Sequence, residues 1–298
     1  MAATLLRLVR YEIIPLSSSV ECLRALPPAS IVSVTCSPAR GIPATQQLCE
    51  LLLSHGHTPV PHLAARCVDG PSHAAELAAW VRACSLKEVF IVGGDAPRPV
   101  SETYKHALPF MSDFLAAKVK VFVFFHAASS PDLDPLQPSP QPHVDRVSFA
   151  AHPEAHPSAS PATMAQSLLC KQSLLIAHGI TGSAVTQMCF DALTIKAWIS
   201  SSRRAGFNLP IILGVAGPVS PSKLIAVSAR IGVGESMRFI ARGGWGVAAA
   251  VSGFGRPGTH DSAEIIRQLC GDVQGIHCFT FNAVADTAAW VHKLCTAA

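Results

Sequence analysis

Charge is scarce in this chain. Asp, Glu, Lys and Arg make up 14% of its 298 residues against 49% hydrophobic, and the formal net charge is only +4. There is no basic block and no Lys/Arg face interleaved with aromatics, so no nucleic-acid partner is expected. Long apolar runs are missing as well: none reaches the roughly 20 residues that a helix needs to cross a bilayer, so no membrane segment is expected. The ten cysteines are scattered and none stands in a CxxC pair, which argues against a zinc knuckle or a thioredoxin-type site. Most lie inside apolar patterns, where a reduced Cys acts as a small core residue, and this suggests a reducing compartment. The acid-free start "MAATLLRLVR" has the charge of a transit peptide, but it runs straight into a predicted strand at "LVRYEIIP". A cytoplasmic protein is expected.

What the chain does have is a rhythm. β-branched and apolar runs predict strands at Leu8–Ile14, Ser30–Thr35, "HTPVPHL", "KEVFIV", Arg146–Ala151, Ser183–Met188, "LPIILGVAGP" and "IHCFTFN". Helical spacing predicts intervening helices, among them Thr45–Leu53, Ser72–Ala83, Thr103–Ala117, Ala192–Ala205, Ser222–Ala229 and Val284–Leu294. Glu235–Cys270 reads as further helix broken by glycines. Eight such units predict an α/β fold, a single-domain (β/α)8 TIM barrel spanning 1–298. One irregularity interrupts the count. Val119–Phe125 reads as a strand outside the main sheet, leading into "SSPDLDPLQPSPQP", whose prolines preclude helix or interior strand. Residues 119–143 are therefore taken as a Pro-rich insertion before strand five.

Parallel barrels place their ligands at the carboxyl ends of the strands. There the sequence offers Glu12, Thr35, His62, Asp95, His152 with His156, Gln187 and Asn282. Any one of them alone suits a solvated rim; together they suit an elongated polar ligand over the barrel mouth. Glu12 lies among apolar neighbours, where lost hydration would raise its pKa toward that of a general acid. An ion pair with Arg10 or Arg40 is the bland alternative. No metal site is expected: Pro153 and Pro157 prevent His152 and His156 from lining one helix face as HExxH ligands. Gly93-Gly94-Asp95 reads as a loop of close approach to a ligand. Gly232 and Gly234 hint at a dinucleotide fingerprint, but no strand precedes them.

At "YEIIP", "VSVT", "PHL", "GGDAP", "HPEAHP" and "VTQMCFD" the sequence resembles the methylenetetrahydrofolate reductase family of flavin-dependent barrels. The resemblance runs from about Leu8 to Leu294, excluding Val119–His143. It implies an oxidoreductase of one-carbon metabolism in which NADH or NADPH reduces FAD, and the flavin then reduces 5,10-methylenetetrahydrofolate by a ping-pong mechanism. On that resemblance Glu12 and Asp95 are catalytic. Thr35, Cys36, His62, Gly94, Asp95, His152, His156 and Lys171 contact the cofactor, and Gln187 and Asn282 the folate. Competing readings are a barrel that binds folate or flavin without turnover, and a flavin-independent member acting on another one-carbon donor. A homo-oligomer is compatible with all of them.

Overall fold

Eight of the apolar runs pair in chain order into a closed parallel barrel, β1 to β8, with β8 returning to β1. The computed structural model describes residues 9–16, 19–96, 98–124, 144–154, 156, 159–189, 191–218 and 262–297. The strands are β1 Val9–Ile13, β2 Ile31–Val34, β3 Thr58–Ala64, β4 Glu88–Val92, β5 Arg146–Ala151, β6 Thr181–Thr186, β7 Ile211–Ala216 and β8 Gly275–Phe279. Around them lie α1 Ser19–Ala25, α2 Gly41–Ser54, α3 Pro71–Ala83, α4 Ala107–Phe124, α5 Pro161–Ala177, α6 Ala192–Arg204, α7 Ser262–Leu269 and α8 Val284–Ala297. The expected (β/α)8 barrel is the observed one. No helix among the described residues is long and apolar enough to cross a membrane.

Alternation along each strand divides two cores. Tyr11, Val32, Leu63, Ile91, Phe149, Leu213 and Cys278 belong to the large core between sheet and helices. The residues in the opposite phase fill the barrel, where Val60, Phe90, Val185 and Ile212 form a smaller apolar cluster. Inside it, too, is a buried polar group. Arg10 Nη1 meets Glu88 Oε1 at 2.5 Å and Ser148 Oγ at 3.2 Å, and Ser148 Oγ lies 2.6 Å from Ser183 Oγ. Arg10 thus pairs with Glu88 and leaves Glu12 to other partners.

Two expectations differ from the structure. Val119–Phe124 is the last part of α4 rather than a strand. A short apolar run without alternation looks the same in a buried strand and in a helix. Strand six begins and ends two residues early, at Thr181–Thr186, so Gln187 follows its end. The rest of the Pro-rich segment (125–143), the helix at Ser222–Ala229, Gly232 and Gly234, and 235–261 of the broken helix lie outside the described residues, whereas α7 falls within it.

The Arg10–Glu88 pair makes a prediction about stability. Arg10→Met leaves a buried carboxylate with the Ser148 hydroxyl donating to it and half-exposed Arg146 (3.7 Å) as its remaining cation among the described residues, and should cost about 3 kcal/mol or more. Arg10→Met combined with Glu88→Leu should recover most of that loss in urea denaturation.

Candidate functional site

The inward phase carries Glu12 on β1, Ser33 on β2, His62 on β3 and His277 on β8 into one part of the barrel interior, with Glu12 opposite Ser33 and Phe279 in register. Glu12 Oε2 lies 3.0 Å from His277 Nε2 and 3.9 Å from His62 Nε2. One ligand atom from each of the three falls within 4.8 Å of the other two. His277 is fully buried and His62 is 7% exposed. Phe90 fixes both rings edge-on, with centroids 4.3 Å from His62 and 5.9 Å from His277. Burial, and then His277 beside it, push the His62 pKa well below its ordinary value.

Hydrogen bonding around this trio is incomplete. His62 Nε2, His277 Nδ1, Ser33 Oγ and Thr35 Oγ1 are buried without a hydrogen-bond partner. Each such atom costs on the order of 1–3 kcal/mol, and a cluster of them marks a place where an ion, water or ligand is expected.

The other residues singled out in the sequence fall into three groups. Thr35 follows β2, and its backbone N–H donates to the Ile13 carbonyl at 3.0 Å; Cys36 next to it is hydrogen-bonded to Cys67, which with burial pushes its thiol upward. Gly94 has φ +92°, and a Cβ there would come within 3.0 Å of the Ala64 Cβ, so the turn after β4 needs glycine. Burial raises the pKa of Asp95, against the opposing pull of His156 and Arg66.

The second group surrounds a pocket of about 320 Å³ beside the end of β5, lined by His152, Glu154, His156 and Lys171 with residues of α5 and α6. The His152 and His156 rings stand perpendicular at 4.8 Å. Burial lowers the His152 pKa to about 4, helped by His156 and Lys171.

The third group has its side chains engaged with backbone. Gln187 Oε1 accepts from the Met188 N–H at 2.9 Å. Asn282 accepts from the Ile14 N–H at 2.8 Å and donates to the Ile14 carbonyl at 2.9 Å, tying the ends of β8 and β1 together.

The structure therefore brings Glu12 and His62 together through a residue that the sequence reading passed over. His277 lies inside β8, two residues before Phe279, and not at the strand end where polar residues mark a barrel mouth. Its signal was the inward phase that it shares with Phe279.

No protein-family model matches the chain. Among solved structures it is similar to oxaloacetate acetylhydrolase in complex with the inhibitor 3,3-difluorooxalacetate, with a TM-score of 0.49 at 9% identity over 96% of this chain and 79% of that one. A second structure of oxaloacetate acetylhydrolase gives 0.48 at 8% identity over the same shares. These neighbours are acetylhydrolases, not flavin reductases. At that likeness they carry no argument about the activity of this chain.

The assignment to the methylenetetrahydrofolate reductase family is corrected: no family model matches the chain, and the similar structures found are not of that family. With it go FAD, NADH or NADPH as reductant, folate as substrate, and the two folate- or one-carbon-based alternatives. The physical reason lies at Glu12. The resemblance makes Glu12 the acid that protonates folate, whereas here Glu12 is grouped with two buried imidazoles, a donor set suited to a cation.

Lys171 supplies a prediction about stability and pH. Burial lowers its pKa from 10.5 to about 8. The unfolded chain keeps the ordinary value, so between about pH 8 and 10.5 only the unfolded state holds the extra proton, and stability climbs with pH. Below pH 8 the full penalty, about 3 kcal/mol, is present. Lys171→Met should therefore stabilise the protein at pH 7 and lose that advantage by pH 10, as read by urea denaturation at both values.

Proposed function

We propose that this barrel is a metal-dependent enzyme. A divalent transition-metal ion is held by Glu12, His62 and His277, and a small polar organic molecule is the substrate. The observation that carries the reading is the carboxylate–imidazole–imidazole trio, both imidazoles buried and the carboxylate partly so, with a His62 Nε2 that has no hydrogen-bond partner. Two imidazoles and one carboxylate match the nitrogen and oxygen preference of Zn²⁺, Fe²⁺ and similar ions, and three protein ligands leave room for substrate. A bound ion would supply a Lewis acid.

The chain's own groups divide the remaining work. Asp95, whose carboxyl holds its proton more tightly for being buried, is the proposed proton carrier. Thr35, Cys36 and Gly94 form the proposed substrate edge of the mouth, while Gln187 and Asn282 hold the loops after β6 and β8 in place. His152, His156 and Lys171 line the neighbouring pocket. The ten free thiols support a reducing, cytoplasmic setting.

Titration with Co²⁺, followed by its visible absorption and by calorimetry, tests the reading. One equivalent should bind, and Glu12→Gln, His62→Ala or His277→Ala should each weaken binding about 100-fold or more, ~2.7 kcal/mol. Stoichiometric binding that survives all three substitutions, or none by the unaltered protein, rules the metal centre out.

A further inference from the structure

Lys171 stands apart from the trio and is unused by it. It lies on α5 and is 8% exposed. Among the described residues its ammonium has no hydrogen-bond or ion-pair partner; its recorded contact is the Phe149 ring, 5.2 Å from Nζ to the centroid. A cation over an aromatic face recovers only part of what burying its charge costs. Lys171 nevertheless lines a pocket of about 320 Å³, large enough for a compact ligand. His152, on the same pocket, has a buried Nδ1 without a partner. Two unpartnered polar groups on one cavity point to something that fills it.

The charged and titratable groups around the pocket decide the ligand's class. His152 and His156 are both shifted downward, chiefly by burial, so neither adds a cation at neutral pH. Glu154 lines the same pocket and opposes an anion. Asp95 and His106 act on His156 from outside it. Among the described residues that line the pocket, no second fixed cation helps Lys171 to hold a phosphate or carboxylate. A neutral electrophile is the better match for an amine so placed.

We propose that Lys171 is a carbonyl-capturing amine, and that this pocket takes a small uncharged aldehyde or ketone as an imine on Nζ. The neutral amine's lone pair adds to the carbonyl carbon, and the C=O π pair moves to oxygen, which takes a proton. The carbinolamine then expels water as nitrogen loses its second proton. Amine plus carbonyl gives imine plus water, with no change of oxidation state. His152, neutral and beside the amine, is placed to pass the proton to the departing hydroxyl. With its pKa at about 8, the amine offers its lone pair at a pH where an ordinary lysine is almost wholly protonated.

The probe is propanal with cyanoborohydride, followed by peptide mapping of the alkylated lysines. Lys171 should be modified at least about 10-fold faster than exposed Lys196 and Lys293 at pH 7.5. Its rate should level off above about pH 8 while theirs keep rising. Ala165→Trp, an exposed position on the pocket wall, should slow Lys171 alone and leave the fold intact. Equal rates at all three lysines, no modification of Lys171 in folded protein, or protection of Lys171 by millimolar inorganic phosphate (an anion site) would each overturn the proposal.

Discussion

A closed barrel has one interior and no edge, and every second residue of each strand must go into it. This constraint governs the molecule, because the interior is dry and any polar group sent there must find a partner or lose roughly 1–3 kcal/mol. Eight strands of four to seven residues leave few such positions, and this chain fills several with ionisable groups. At one level Arg10, Glu88, Ser148 and Ser183 bond to one another. At another, around Glu12, the side chains of His62, His277 and Ser33 each leave an atom without a hydrogen-bond partner. The two levels differ in whether the protein itself completes the network. A completed network holds strands in register; an incomplete one is finished by something from outside.

Aromatic packing makes the incomplete level rigid despite its missing bonds. Phe90 packs against both imidazoles, and Phe279 lies 4.8 Å from His277 on the same strand. The rings keep their orientation through van der Waals contact with these neighbours, so one ligand atom from each member of the trio stays close to the other two. The Asn282 clasp onto Ile14 acts just past the carboxyl ends of the same strands, fixing how β8 meets β1 beyond Glu12. A positive φ of 59° at Asn282 is part of that clasp, in a conformation that asparagine tolerates better than most residues.

The architecture was legible in the sequence because strand and helix periods repeat eight times, and one wrong segment cannot hide the rhythm. Val119–Phe124 was that segment, since an apolar run carries no period of its own. Glu12 was legible as an unusual buried acid, but its partners were not. Arg10 and Glu88 are 78 residues apart, and Glu12 and His277 are 265 apart; only barrel closure makes them neighbours. The motifs that suggested a flavin reductase sit largely at strand ends, where any barrel collects polar residues and glycines, so their order tracks the fold more closely than the chemistry. His277 fell outside the search because it lies within a strand, yet inward phase is as much a requirement for a ligand as position at the rim.

Phase also separates the two candidate spaces. On β5, Ser148 points into the barrel, where it meets Arg10 and Ser183, while Phe149 points out to the helices, where it meets Phe207 and Lys171. The Lys171 amine therefore lies in the layer between sheet and helices, and the trio lies inside the sheet. One residue's step along a strand is enough to exchange these environments. The loop after β5 bridges them at the rim: His152 and His156 line the outer pocket, and His156 acts on Asp95 after β4. His156 thus stands between the Asp95 carboxyl, on which it acts, and the outer pocket that it lines.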